Sequence, residues 1–168
     1  QPKYQSAQAG RKALFALDNL WDGIGGVVAS DPSVKYLSGK VTIYSSSPEL
    51  SRKAMVYYLD KHFGDRKGLI TSKNPETWTE EQAAMFDEIF CGANYKENYQ
   101  ILNNYVKSMG DSIPPLIHLY INLSETMKTF GTTFDPDFGD CYDTAMLITI
   151  ADIYKEKYDR YIASYHNQ

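Results

Sequence analysis

Apolar residues recur along this chain mostly at spacings of three and four, the period of an α-helix with one buried face. In the first segment Ala13, Leu14, Leu17, Leu20 and Trp21 follow that spacing, which predicts a helix from Tyr4 to about Trp21. Gly23, Gly25 and Gly26 come next, and they are expected either to end the helix or to let another backbone come close. Asp31-Pro32 is a restart signal, an N-cap followed by proline at the first helical position. Residues 34–44 read two ways. Val34, Leu37, Val41 and Tyr44 have helical spacing, and a helix is the preferred reading. The alternative is a short hairpin, Val34 to Leu37 against Lys40 to Tyr44, split at Ser38-Gly39 and favoured by the β-branched Val41 and Ile43 with Thr42 between them.

Helices are predicted more cleanly further on. Ser47-Pro48-Glu49 opens one that runs to Phe63, where Gly64 stops it. Residues 65–75 read as a loop. Thr79-Glu80-Glu81-Gln82 fits a capping box for a helix carrying Phe86, Ile89 and Phe90 and breaking near Gly92. Tyr95, Tyr99, Leu102, Val106 and Met109 stripe the next, which Gly110 closes. Ser112-Ile113-Pro114-Pro115 introduces a helix expected to reach Phe130, with His118, Asn122, Glu125 and Thr129 on a polar side facing solvent or a polar groove. Residues 131–139 form a loop. The last and longest predicted helix spans Asp140 to about Ser164. Short connections favour antiparallel neighbours, so the expected fold is all-α: an up-and-down bundle of five or six helices in one domain, residues 1–168, with the hairpin near residues 34–44 as its one possible departure.

Composition agrees with a folded domain and narrows its partners. The 168 residues are 43% hydrophobic and 23% charged, ordinary values for a globular protein. Net charge is −4, and the densest basic groupings are Arg52-Lys53 and Arg66-Lys67. No basic stripe exists, so nucleic acid is excluded as the expected partner. No apolar run has the length of a membrane span. The 14 tyrosines are the unusual feature, suited to core edges and binding surfaces because each ring carries a polar tip.

Catalytic and cofactor signatures are missing. His62, His118 and His166 fit no metalloprotease or di-iron spacing, there is no Cys-x-x-Cys, and no Gly-x-Ser-x-Gly occurs. No catalytic residue and no cofactor are therefore assigned. Asp135, Asp137, Asp140 and Asp143 form the one cluster able to gather a hard cation, although turn residues and an N-cap explain them as well. Cys91 and Cys141 suit a disulfide tying the Thr79 helix to the start of the last one. Asn122-Leu123-Ser124 is a glycosylation tripeptide, and the chain opens Gln1-Pro2 rather than with Met; together these favour a secreted protein.

Tyrosine stripes are the candidate binding residues. Tyr154, Tyr158, Tyr161 and Tyr165 fall at i, i+4, i+7 and i+11 on the last helix, and Tyr95, Tyr99 and Tyr120 join them from two others. The leading expectation is a secreted, non-enzymatic protein holding a small hydrophobic or amphipathic ligand in an aromatic pocket or groove between helices. The first alternative is a protein-interaction module that presents the tyrosine face to a partner. The second is an enzyme without a local motif, with His118, Tyr120 and the aspartate loop as its participants.

Overall fold

In the computed structural model the backbone is described for residues 11–166 and the side chains for residues 19–165. They form two compact units, one from residues 11–35 and 153–166 and one from Tyr36 to Asp152. The first unit contains α1 (Arg11–Ser30) and a C-terminal helix. That helix has a short α start, α6 (Lys155–Tyr158), a π turn over Asp159–Ala163, and a last α turn, α7 (Ser164–His166). The larger unit runs β1 (Tyr36–Tyr44), α2 (Glu49–Phe63), α3 (Glu80–Ile89), α4 (Tyr95–Ser108), α5 (Pro115–Ile121), β2 (Lys128–Asp135) and β3 (Cys141–Thr149).

The fold is therefore a mixture of helices and an antiparallel sheet, not the all-α bundle expected. Strand order is β1-β3-β2, with β3 in the middle. Residues 34–44 hold neither a helix nor a hairpin: Tyr36–Tyr44 is one strand, paired along its length with β3, from Tyr36 opposite Thr149 to Tyr44 opposite Cys141. The helix expected over residues 112–130 stops at Ile121. Thr129, Thr132, Thr133 and Phe134, β-branched or aromatic, then extend as β2. Gly131 takes a left-handed φ of 79°, and the register with β3 slips between Thr129 and Thr132, as a bulge requires. The first part of the long helix expected from Asp140 to Ser164 is replaced by β3, and the chain is α- or π-helical only from Lys155. Thr144, Met146 and Ile148 of β3 are buried on the sheet face they share with Val41, Ile43 and Thr132.

α2 is the core of the larger unit. Nine of its fifteen residues are buried, on more than one side of the helix. A helix covered on several sides loses its amphipathic stripe. Met55, Tyr58, Leu59 and Phe63 are almost inaccessible, and each large apolar side chain buried this way stabilises by about 1.5–3 kcal/mol. α2 starts at Glu49, with Pro48 and not Ser47 at the cap. Its first turn is fixed by side chains instead. Ser51 donates to the Asp111 carboxylate at 2.6 Å, and buried Arg52 pairs with Glu76 at 3.3 Å while lying 4.0 Å over the Tyr142 ring. α3 and α4 follow the sequence closely. Thr79 and Gln82 form the reciprocal capping box, and Asn94 caps α4 through the Lys96 and Glu97 amides.

The glycines of α1 do not end it; the helix continues through them to Ser30. Gly25 instead serves close approach. A Cβ there would sit 1.7 Å from the Tyr161 carbonyl oxygen of the π turn, whereas one at Gly23 would meet nothing within 4 Å. Trp21 and Val28, one turn to either side of Gly25, are buried.

Two outcomes are expected. Gly23→Ala stabilises the chain by about 0.5–1 kcal/mol through helix propensity, whereas Gly25→Ala destabilises it by about 1–3 kcal/mol through overpacking; urea denaturation of both variants measures the contrast. Arg52→Ala, which strands the nearly buried Glu76 carboxylate, lowers stability by about 3–5 kcal/mol in the same assay.

Candidate functional site

Polar and aromatic groups concentrate where α4 and α5 meet α2. Tyr58 of α2 is fully buried and donates its hydroxyl to the Tyr95 carbonyl at 2.8 Å. Its ring lies 4.9 Å from His62 and 6.0 Å from Tyr99. Burial pushes the Tyr58 phenol far above its usual pKa, so it keeps its proton. Tyr99, at the next turn of α4 from Tyr95, is half-buried and faces His118 of α5 at a ring distance of 5.6 Å.

His118 is exposed and held on both sides. Its Nδ1 lies 3.2 Å from the Tyr99 hydroxyl, and the Asn122 amide reaches its Nε2 at 3.1 Å while also donating to the His118 carbonyl at 2.8 Å. Asn122 has only protons to give from that nitrogen. The same Asn122 nitrogen also lies 3.3 Å from Nδ1, so these contacts fix the place of the ring and not its tautomer. Burial raises the pKa of Tyr99 and of Tyr120. Tyr120 reaches towards β1, where a Cβ on Gly39 would come within 2.3 Å of its hydroxyl.

A second imidazole lies behind this one. Asn98 of α4 is buried, accepts the Gly92 amide at 2.8 Å, and donates to the Gly92 carbonyl and to His62 Nε2, both at 3.2 Å. Desolvation, then the neighbouring Lys61, holds His62 below its ordinary pKa, so it stays a neutral acceptor. His62, Asn98 and Tyr58 carried no role in the sequence reading. The available signal was Asn98, a polar residue on the apolar stripe of α4 between Tyr95 and Leu102.

The remaining sequence candidates disperse. Tyr161 is buried, Tyr154 and Tyr158 are half-buried, and Tyr165 is exposed. The stripe they form on a regular helix is broken here, because the π turn changes the angular step between residues. Asp135 accepts the Asp137 amide, Asp140 takes a left-handed φ of 51° in the turn before β3, and Asp143 pairs with Lys40 and with the Thr42 hydroxyl. Among the described residues no three His, Cys, Asp or Glu side chains are placed to hold a metal ion.

The expected disulfide is absent: Cys91 is exposed, Cys141 is buried, and both are free thiols. Cys141 donates to the Phe138 carbonyl at 3.3 Å, and burial with nearby Asp143 and Asp135 pushes its thiol pKa up, the reverse of what a nucleophile needs. Asn122 is exposed, but Ser124 of the same tripeptide is buried and its hydroxyl accepts the Thr126 amide. The disulfide and the tripeptide therefore no longer support a secreted glycoprotein. No helix among the described residues is long and apolar enough to cross a membrane.

Comparison with known proteins adds what the geometry lacks. A glycine N(alpha)-acyltransferase of Phocaeicola vulgatus is 45% identical over 167 residues, covering 99% of this chain and 51% of that protein. A second glycine N(alpha)-acyltransferase, from Bacteroides thetaiotaomicron, is 44% identical over 166 residues, covering 97% of this chain and 48% of its own length. The chain thus spans about half the length of the curated relatives it matches. No family model and no solved structure matches it. Both relatives are enzymes by name, which overturns the expectation of a non-enzymatic binding protein and of a passive tyrosine face. Of the expectations drawn from the sequence, the enzyme without a local motif is the one they favour.

The depressed His62 pKa has a consequence for stability. The unfolded chain takes up a proton near the ordinary histidine value of 6.5, and the folded one only at lower pH. The unfolded state therefore binds more protons in that window, and stability falls as pH drops below about 6.5. Urea midpoints measured from pH 7.5 to 5 are expected to fall more steeply for the wild type than for His62→Gln, which keeps an acceptor for Asn98 and does not titrate.

Proposed function

We propose that this chain is part of an N-acyltransferase that joins an activated acyl group to the amine of glycine. The observation that carries the reading is identity of 44–45% along nearly the whole chain to two proteins with that name. In such a transfer the glycine nitrogen attacks the acyl carbonyl and a C–N bond forms. The bond from the acyl carbon to its leaving group breaks, the nitrogen gives up a proton, and the leaving group takes one. A residue that removes the nitrogen's proton must be accessible and must accept near neutral pH, which imidazole does. Among the described groups His118 is an exposed imidazole whose ring is contacted by Tyr99 and Asn122. In this reading the His118 ring accepts the proton and the Tyr99 hydroxyl holds the ring in place, a positioning role.

The test is a chimera in which this chain replaces the matched 167 residues of the Phocaeicola vulgatus relative. Supplied with glycine and an acyl thioester, the folded chimera is expected to form N-acylglycine, detected by mass spectrometry. A folded chimera that forms none refutes the reading. Within an active chimera, His118→Ala is expected to lower kcat by about a hundredfold to ten-thousandfold, the usual worth of a general base. An unchanged kcat removes His118 from the mechanism without touching the activity itself.

A further inference from the structure

The two edges of the sheet are treated differently. The β2 edge is covered by the chain's own loops. Asp65 donates its amide to the Thr129 carbonyl at 2.8 Å, Glu76 to Thr132 at 2.8 Å and Phe134 to Asn74 at 3.0 Å, with bridges at Gly64 and Pro75. The opposite edge belongs to β1. All nine of its residues pair with β3, and among the described residues no strand pairs with its other side.

An exposed edge is ordinarily blunted by charged side chains, proline, a bulge or a short strand. β1 carries one such device, Lys40, and neither proline nor a register slip. It is nine residues long, its register with β3 runs without a slip, and its one charge, Lys40, is tied to Asp143 and lies over the Phe138 ring. Tyr36 and Tyr44 stand exposed at its two ends, 58% and 66% accessible. Burying such rings against a partner is favourable and gives specificity.

Chain length identifies what covers the edge. The relatives are about twice as long as the stretch this chain matches, so a protein of their size carries as much polypeptide again outside it. We infer that the open edge of β1 receives a strand from that remaining portion, by main-chain hydrogen bonding along Leu37 to Ile43, so that the sheet continues across the division. The mode is strand addition, which gives affinity through the backbone and selectivity through the flanking side chains. The inference rests on the relatives' length and the open edge, and it does not depend on their activity being shared.

Hydrogen exchange of the chain alone and of the chimera described above tests it. In the chain alone, every second amide between Leu37 and Ile43 faces away from β3 and is expected to exchange fast. In the chimera those same amides are expected to slow by roughly a hundredfold or more, with β3 and β2 little changed. Equal exchange at β1 in both, with β3 protected in both, overturns the inference. So does slowing that appears in the chain alone on raising its concentration, since a second copy is then the occupant. If the chimera does not fold, the full-length Phocaeicola vulgatus relative is measured at the matched positions, and fast alternate amides there also overturn it. Slow β1 amides in an inactive chimera would refute the proposed activity only, and fast ones in an active chimera would refute the edge only.

Discussion

Everything in the larger unit depends on the burial of one helix. α2 contributes nine buried residues, and its surroundings come chiefly from α3, α4 and β2. Phe86 and Phe90 lie beside Tyr57 from the α3 side, Tyr95 and Tyr99 approach Phe63 and Tyr58 from α4, and Thr129 of β2 hydrogen-bonds the Leu59 carbonyl. Two polar anchors, Ser51 to Asp111 and Arg52 to Glu76, set the start of the helix among these neighbours. A charged residue as deeply placed as Arg52 is tolerated because its guanidinium has both a carboxylate and an aromatic face. The sheet then needs only one face covered, and its covered edge is held by the loops on either side of residue 70.

What the sequence made legible were elements stabilised by their own local chemistry. The α3 capping box, the close of α4 at Gly110 and the stop of α2 at Gly64 depend on residues within a few positions of one another, and all are found. The strands depend on partners far along the chain. Tyr36 pairs with Thr149 and Thr132 with Thr144, contacts that no window of ten residues contains. β3 was the hardest to read: as the central strand it carries Ala145-Met146-Leu147-Ile148, a run equally at home in a helix. Gly39 was taken as a break within residues 34–44, yet it lies in mid-strand, where a side chain would collide with the Tyr120 hydroxyl. Of the two readings of the α1 glycines, a helix end or a close approach, the second holds at Gly25, where the helix continues and the Tyr161 carbonyl comes close.

The candidate site was half legible. Tyrosine surplus pointed to Tyr95, Tyr99 and Tyr120, and Tyr99 does lie against the His118 that sequence reasoning had set aside for an enzyme. His62 and Asn98 were invisible because their contact spans α2 and α4. The C-terminal tyrosines were overvalued because a π turn could not be foreseen from their spacing. No local motif announces acyl transfer in this chain. Groups for such chemistry can converge from distant elements, and relatives twice as long leave room for some of them to lie elsewhere.

The central claim is that α2 is the axis on which the larger unit folds, and native-state hydrogen exchange under increasing denaturant addresses it directly. Amides from Met55 to Leu59 should exchange only through global unfolding, with the same free energy and denaturant dependence as the amides that join β3 to its neighbours. Exchange of those α2 amides through a lower-energy opening, while β3 and α4 remain protected, would contradict the account.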